Sequence, residues 1–279
     1  MSGSAPLRAS APLLTVADQL GPLTDLAGTW VGRGFNLISL PDKHENKPFR
    51  LKLNATVETL QFTPIGGLVP NRGSGQDDIF LTGLSYLQRV SDAQSNAAMH
   101  IEPGFWLNVP PTTVPPAAAA TVVRQGCVPH GDSLLAQGSA LTIAGGPKIG
   151  TVDSTPFNAA GPLTDPAYLA PFADPPLPAG FDPPFVKNLN LALLDDILGQ
   201  TITRTVVLII STKPTGGIVN IPFVVQNANA VQLDAIFWIE TVQQPDGSSF
   251  MQLQYTQTVI LNFLGISWPH ISVATLVKQ

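Results

Sequence analysis

Charge is scarce in this chain. Asp, Glu, Lys and Arg make up 12 % of its 279 residues, against 44 % hydrophobic residues. That is about half the usual charged share of a soluble domain, and the reverse of what keeps a chain disordered. Cysteine is almost absent. Cys127 alone excludes an internal disulfide and a thiolate metal cluster and fits a reducing compartment, so a cytoplasmic location is expected. No apolar run approaches the ~20 residues of a membrane helix, because Asp, Asn, Pro or Gly breaks each one, including Thr205–Ser211 and Val259–Ile266; no membrane span is expected. The 14 Lys and Arg are scattered among 19 Asp and Glu, for a net charge of −5, and without a basic cluster nucleic acid is not an expected partner. The zinc motif H-E-x-x-H, the G-x-S-x-G elbow, the P-loop and the dinucleotide fingerprint are all missing.

What is present is alternation. Phe49–Leu60 places Leu51, Leu53, Ala55 and Val57 on one face and Lys52, Asn54, Thr56 and Glu58 on the other, which reads as a strand whose polar side meets water. The same period predicts strands over Thr29–Leu37, Ile79–Val90, Ala98–Asn108, Thr121–Cys127, Ser133–Ala144, Thr201–Ser211, Ile218–Val225, Leu233–Gln243, Phe250–Leu264 and His270–Lys278. Pro245-Asp246-Gly247 predicts a hairpin within Leu233–Leu264. Helical spacing is confined to Pro22–Ala27 and Asn188–Gly199. The expectation is an all-β protein: an antiparallel closed β-barrel of about ten or more strands with long Pro-rich loops. Residues 1–21 read as a flexible arm, and residues 22–279 as one barrel domain with a Pro-rich insertion around 110–199. Within it, Pro156–Pro184 holds 9 prolines in 29 residues, interspersed with Phe and Tyr; it is too apolar for a solvated linker, and is expected to lie over the barrel or over a neighbouring subunit. A homo-oligomer, most simply a dimer, follows from the sparse charge.

Four histidines are candidates for chemistry: His44, His100, His130 and His270. On a strand starting at His270, Ser272, Ala274 and Leu276 share its face, and such small neighbours leave room for a flat cofactor beside the imidazole; the alternative is a ring in solvent at a strand end. His100 and Glu102 either face the interior, as a distal group and its partner, or form a polar pair on the outside. His130, in Val128-Pro-His-Gly-Asp132, reads as a turn residue. Gly66–Asp78 reads as a long solvated loop, Glu240 as an exterior residue interrupting an apolar run or as a buried acid, and Asn54-Ala-Thr56 as a glycosylation sequon set in a strand.

Three segments carry a resemblance. Leu26-Ala-Gly-Thr-Trp30-Val-Gly32-Arg-Gly34, Met99-His-Ile-Glu102-Pro-Gly104-Phe105-Trp106 and Pro269-His270 are similar, in this order, to the opening, the H-x-E-x-G strand and the terminal P-H segment of nitrobindin-type haem-binding barrels, the family that also supplies the C-terminal domain of some THAP proteins. His44 with Lys47-Pro48-Phe49 resembles a further family segment, with one extra residue. The resemblance implies a barrel holding haem b, with His270 as the iron ligand; Ser272, Ala274, Trp30 and Gly32 as cofactor-binding residues; His100 and Glu102 as catalytic candidates; and nitric oxide, peroxynitrite or peroxide as the small-molecule ligand. It covers under half of the chain and leaves Pro110–Gly199 without a counterpart. Two other readings compete. One is a metal-free, lipocalin-like carrier of an apolar small molecule, and the other a cofactor-free isomerase or cyclase using Glu240, Glu102 or Asp78 in the cavity.

Overall fold

In the computed structural model, residues 19–114, 116–213 and 215–279 are described; most of the proposed N-terminal arm, residues 1–18, lies outside them. The strands are β1 (Gly28–Asp42), β2 (Lys47–Pro64), β3 (Val69–Asn71), β4 (Ile79–Asp92), β5 (Ala98–Val109), β6 (Thr121–Val128), β7 (Asp132–Ala144), β8 (Phe157–Asn158), β9 (Gly161–Pro162), β10 (Thr201–Ser211), β11 (Gly217–Asn220), β12 (Asn229–Gln243), β13 (Ser249–Phe263) and β14 (Ile266–Lys278). Ten of them, in the order β1-β2-β4-β5-β6-β7-β10-β12-β13-β14, form one antiparallel sheet. It closes where β1 pairs with β14, from Trp30 opposite Lys278 to Leu37 opposite Ile271. The all-β closed barrel is as the alternation predicts, and closure leaves no free edge on these ten strands.

The hairpin around Pro245-Asp246-Gly247 forms as β12–β13. A second tight turn follows at Leu264 and Gly265, both with positive φ (57° and 69°), the geometry a two-residue hairpin needs. The last strand begins at Ile266 rather than at His270. Pro269 is accommodated there because β14 pairs with β13 from Ile266 onward, while its pairing with β1 reaches only Ile271; the proline's missing N–H therefore costs no bond on the β1 side. The predicted strand Ile218–Val225 is shorter than expected. It ends at Asn220, and Pro222 opens a six-residue helix, Pro222–Asn227, since proline at the first helical position loses no bond. The loop over Gly66–Asp78 contains the short strand β3 against β4 and an Arg72–Asp78 ion pair.

A 3-10 turn, Gly21–Leu26, plugs one end of the barrel. Leu20, Leu23 and Leu26 bury into the interior with Trp30, Leu60, Leu84, Trp106 and Leu253, and the Trp30 indole donates to the Leu26 carbonyl at 2.8 Å. The Pro-rich insertion covers the outside of the same barrel. Phe181, Phe185, Val186, Leu189 and Leu193 pack on the outward residues Leu37, Val207, Trp238, Ile271 and Val273, with edge-to-face contacts between Phe35 and both Phe181 (5.1 Å) and Phe185 (5.8 Å). A short helix, Pro166–Ala173, brings Tyr168 and Phe172 to Phe49 and Trp268 at the rim opposite the plug. Of the two surfaces expected for this segment, the one it occupies is its own barrel.

That covering reverses the expected faces of β2. Leu51 and Leu53 face outward, beneath the insertion, and Val57 is 37 % exposed. Asn54, Thr56 and Glu58, the side expected to be wet, point into the barrel and are buried. The sequon at Asn54 is therefore closed off inside the fold.

Candidate functional site

The interior changes character along its length. At the plugged end it is aliphatic and aromatic; towards the other end, buried polar side chains replace the hydrophobes. The cause is in the inward positions of each strand: Asn36 on β1, Asn54, Thr56 and Glu58 on β2, Gln88 on β4, His100 and Glu102 on β5, Arg124 on β6, Tyr255 and Gln257 on β13, and His270 and Ser272 on β14. In the middle of the barrel these groups form two clusters.

The first is centred on Glu102. Arg124, 1 % exposed, donates to Glu102 Oε1 through Nη2 at 2.8 Å and Nε at 3.2 Å, and to Gln257 Oε1 through Nη1 at 2.7 Å. The Tyr86 hydroxyl also donates to Glu102 Oε1. Burial pushes the Glu102 carboxyl up, but the Arg124 charge and the His100 and Tyr86 hydrogen bonds outweigh it and hold the pKa down to about 2. Glu102 is thus ionised and paired, the arrangement that a buried charge requires. Gly104 and Gly126 face each other across β5 and β6, and this is why the cluster fits: a Cβ on Gly126 would lie 2.3 Å from Glu102 Oε1, and one on Gly104 would lie 2.6 Å from the Tyr86 ring.

Among the described residues, no cation is bonded to the second cluster. Glu58 accepts from Tyr255 at 2.6 Å, Thr56 at 2.9 Å and Gln88 at 3.3 Å, and burial raises its pKa against those three bonds. The barrel therefore holds two carboxyl groups in opposite electrostatic settings, one stabilised as an anion and one favoured as the acid.

Beyond these clusters, His100, His130 and His270 lie in the half of the barrel opposite the plug. The His100 and His130 rings lie 5.8 Å apart, with His100 Nε2 3.4 Å from Glu102 Oε2. His270, partly exposed, is near enough for both to act on it: burial first, then the other two imidazoles, pushes its pKa down to about 4, so it is neutral at neutral pH. Its Nε2 takes a hydrogen bond from Asn36 Nδ2 at 2.6 Å. The same amide donates to Ser272 Oγ at 2.8 Å and accepts from Asn54 Nδ2 at 3.1 Å.

Of the residues singled out in the sequence, the fold brings His270, Ser272, His100 and Glu102 into this half of the barrel. His130 is in the predicted turn, yet adjoins His100. Ala274 lies four residues along β14 from His270, about 13 Å at ~3.3 Å per residue. Gly32 and Trp30 belong to the plugged end, opposite Leu276 and Lys278, where Trp30 is packed under the Lys278 ammonium, 5.2 Å from its ring centre. His44 is exposed at a hairpin turn beside Glu45. Glu240 faces outward but is fully buried beneath the insertion, bonded to Gln252 at 2.7 Å, and burial raises its pKa to about 7. Asn36, Asn54, Arg124, Tyr86, Glu58 and Tyr255 were not picked out as site residues; the alternation that puts the β2 polar residues on one face was visible, but not that this face is the inner one.

Two cavities lie on the outer surface. One, about 240 Å³, is bounded by Arg33, Phe35, Asp182, Phe185 and Asp196, and the other, about 400 Å³, by Cys127, Pro129, Asp132, Val219 and Ile221. Among the described residues, no three His, Cys, Asp or Glu side chains are grouped to hold a metal ion, and no helix is long and apolar enough to cross a membrane. No family model and no curated protein matches the sequence. Among solved structures, the chain is similar to the crystal structure of Rv2717c from M. tuberculosis, with 16 % sequence identity and a TM-score of 0.48 over 97 % of this chain and 99 % of that one. At this level the likeness carries no functional information.

Proposed function

We propose that this barrel binds haem b at its histidine-lined end, where His270 would hold the iron, and there handles a small ligand such as nitric oxide, peroxynitrite or peroxide. The carrying observation is His270 on the inner face of β14, kept neutral by its surroundings and held at Nε2 by Asn36, in the same half of the barrel as the paired His100 and His130 rings. The donor chemistry fits the group. A porphyrin brings four nitrogens of its own, so one neutral imidazole is enough, and protons do not compete for that nitrogen near neutral pH. Bound haem would supply an iron with a remaining position for a diatomic or peroxy ligand. The chain's own part is to orient and exclude: Asn36 and Ser272 set the His270 ring, Glu102 holds His100 within hydrogen-bonding reach, and the Arg124 charge is neutralised by Glu102.

Titration of haemin into the purified protein tests the reading. A Soret band that saturates at one equivalent, is lost or weakened in His270→Ala and is retained in His100→Ala supports it; equal spectra for wild type and His270→Ala refute the assignment of His270 as iron ligand. The two carboxyl groups in opposite settings favour a second reading, a cofactor-free isomerase or cyclase with Glu58 as acid and Glu102 as anion. Failure of wild type to take up haemin would favour that reading or the metal-free carrier.

A further inference from the structure

The neutral imidazole of His270 has no free lone pair as it stands. Asn36 Nδ2 donates to Nε2 at 2.6 Å, so the ring proton is on Nδ1, and both nitrogens are committed. The direction of that bond is set by its surroundings. The two Asn36 amide hydrogens go to His270 Nε2 and Ser272 Oγ, and the amide oxygen is taken by Asn54 Nδ2 from the neighbouring strand. The Ser272 hydroxyl, which donates as readily as it accepts, would tolerate either face of the amide, but with Asn54 as oriented, turning Asn36 over would set its hydrogens against the Asn54 amide hydrogens. Asn54 is 4 % exposed, so water does not readily replace the lost bond.

We propose that Asn36, locked by Asn54, is a positioning residue that selects the Nδ1–H tautomer of His270 and caps Nε2, so that the ligating nitrogen is unprotonated but must shed Asn36 before it binds a metal. The selection of the tautomer stands on hydrogen-bond geometry alone; the consequence for metal uptake rests on the haem reading above. Asn36 acts as a gate: the ring is prepared for ligation, while one bond of typical strength slows the first contact. Removing the cap and replacing it with an acceptor should have opposite effects. Asn36→Ala takes away the bond that has to break. Asn36→Asp offers an oxygen where a donor was, which draws the proton onto Nε2 and blocks it.

The experiment uses the full-length, haem-free protein labelled with nitrogen-15 in histidine, with the His270 signals assigned from the His270→Ala spectrum. At neutral pH, two-bond proton–nitrogen spectra report which ring nitrogen carries hydrogen. Wild type is expected as the Nδ1–H form, Asn36→Ala and Asn54→Ala shifted towards Nε2–H, and Asn36→Asp converted to Nε2–H. Stopped-flow mixing with haemin is expected to show association about fivefold faster in Asn36→Ala, the value of one ordinary hydrogen bond of about 1 kcal/mol, and slower than wild type in Asn36→Asp. A purely structural role would move both Asn36 variants in the same direction and would overturn the proposal, as would an Nε2–H wild type or a tautomer unchanged in Asn36→Ala. If wild type takes up no haemin, the haem reading fails by itself, and the tautomer spectra still decide the role of Asn36.

Discussion

Replacing Arg124 with methionine tests whether the polar interior is held by a matched charge pair. The substitution keeps most of the side-chain volume but removes the guanidinium bonded to Glu102, whose carboxylate is 1 % exposed. Breaking a buried pair from one side leaves an unpaired charge and typically costs about 3–5 kcal/mol. The net displacement of the Glu102 carboxyl, from 4.5 down to about 2 under Arg124, His100 and Tyr86 together against burial, is of the same order, about 3 kcal/mol at ~1.36 kcal/mol per pKa unit. Because the folded pKa lies below the unfolded one, this stabilisation is complete above about pH 4.5 and fades as pH falls towards 2. In Arg124→Met only the His100 and Tyr86 hydrogen bonds are left to oppose burial, so the folded pKa of Glu102 rises and the stabilisation that the wild type gains as pH rises shrinks. Urea unfolding should therefore show the largest gap between wild type and variant at neutral pH and a smaller one in acid, and Arg124→Met/Glu102→Gln should recover at least half of the loss. A neutral-pH gap under about 1 kcal/mol, below the range for a broken buried pair, or a gap unchanged in acid, would refute the reasoning.

Three further outcomes are expected. Glu240→Gln should stabilise the protein above pH 7 and leave it unchanged near pH 4, because the carboxyl, raised to about 7, favours the folded state only while protonated; thermal melts across that range check it, and a gain at low pH would contradict it. Phe185→Ala removes a ring packed on Phe35 and Phe181 and should cost about 3 kcal/mol, read as faster proteolysis within residues 145–200 while barrel strands stay protected; equal proteolysis would mean that the insertion is held elsewhere. Val219 and Phe223, 75 % and 71 % exposed, leave apolar surface uncovered by the insertion, so light scattering should give a dimer mass, and a monomer at micromolar concentration would refute self-association.

The strands were legible in the sequence because a period of two is local. Phe49–Leu60 announces a β-strand whatever surrounds it, as does the hairpin around Pro245-Asp246-Gly247. The exceptions were also local in cause: Pro222 ended β11 and opened a helix where apolar residues alone had promised more strand, and Pro269 did not mark a strand start, because its strand was still unpaired on the β1 side.

The site was only half legible. His270, His100 and Glu102 could be picked out by type and by resemblance, but a two-fold period defines two faces without saying which is covered. The insertion decided that, by burying Leu51, Leu53 and Trp238 on the outside and leaving Asn54, Thr56 and Glu58 to fill the inside. It also made Glu240 a buried acid on an outward face. The contacts of the site depend on closure as well. Asn36 meets His270 across 234 positions of sequence, and Arg124 meets Gln257 across 133. The sequence by itself determined that this chain forms an antiparallel barrel, since alternation and turn chemistry act between neighbours. Only the tertiary structure decided where its polar residues meet, because that depends on the register at which β1 joins β14 and on what covers the wall.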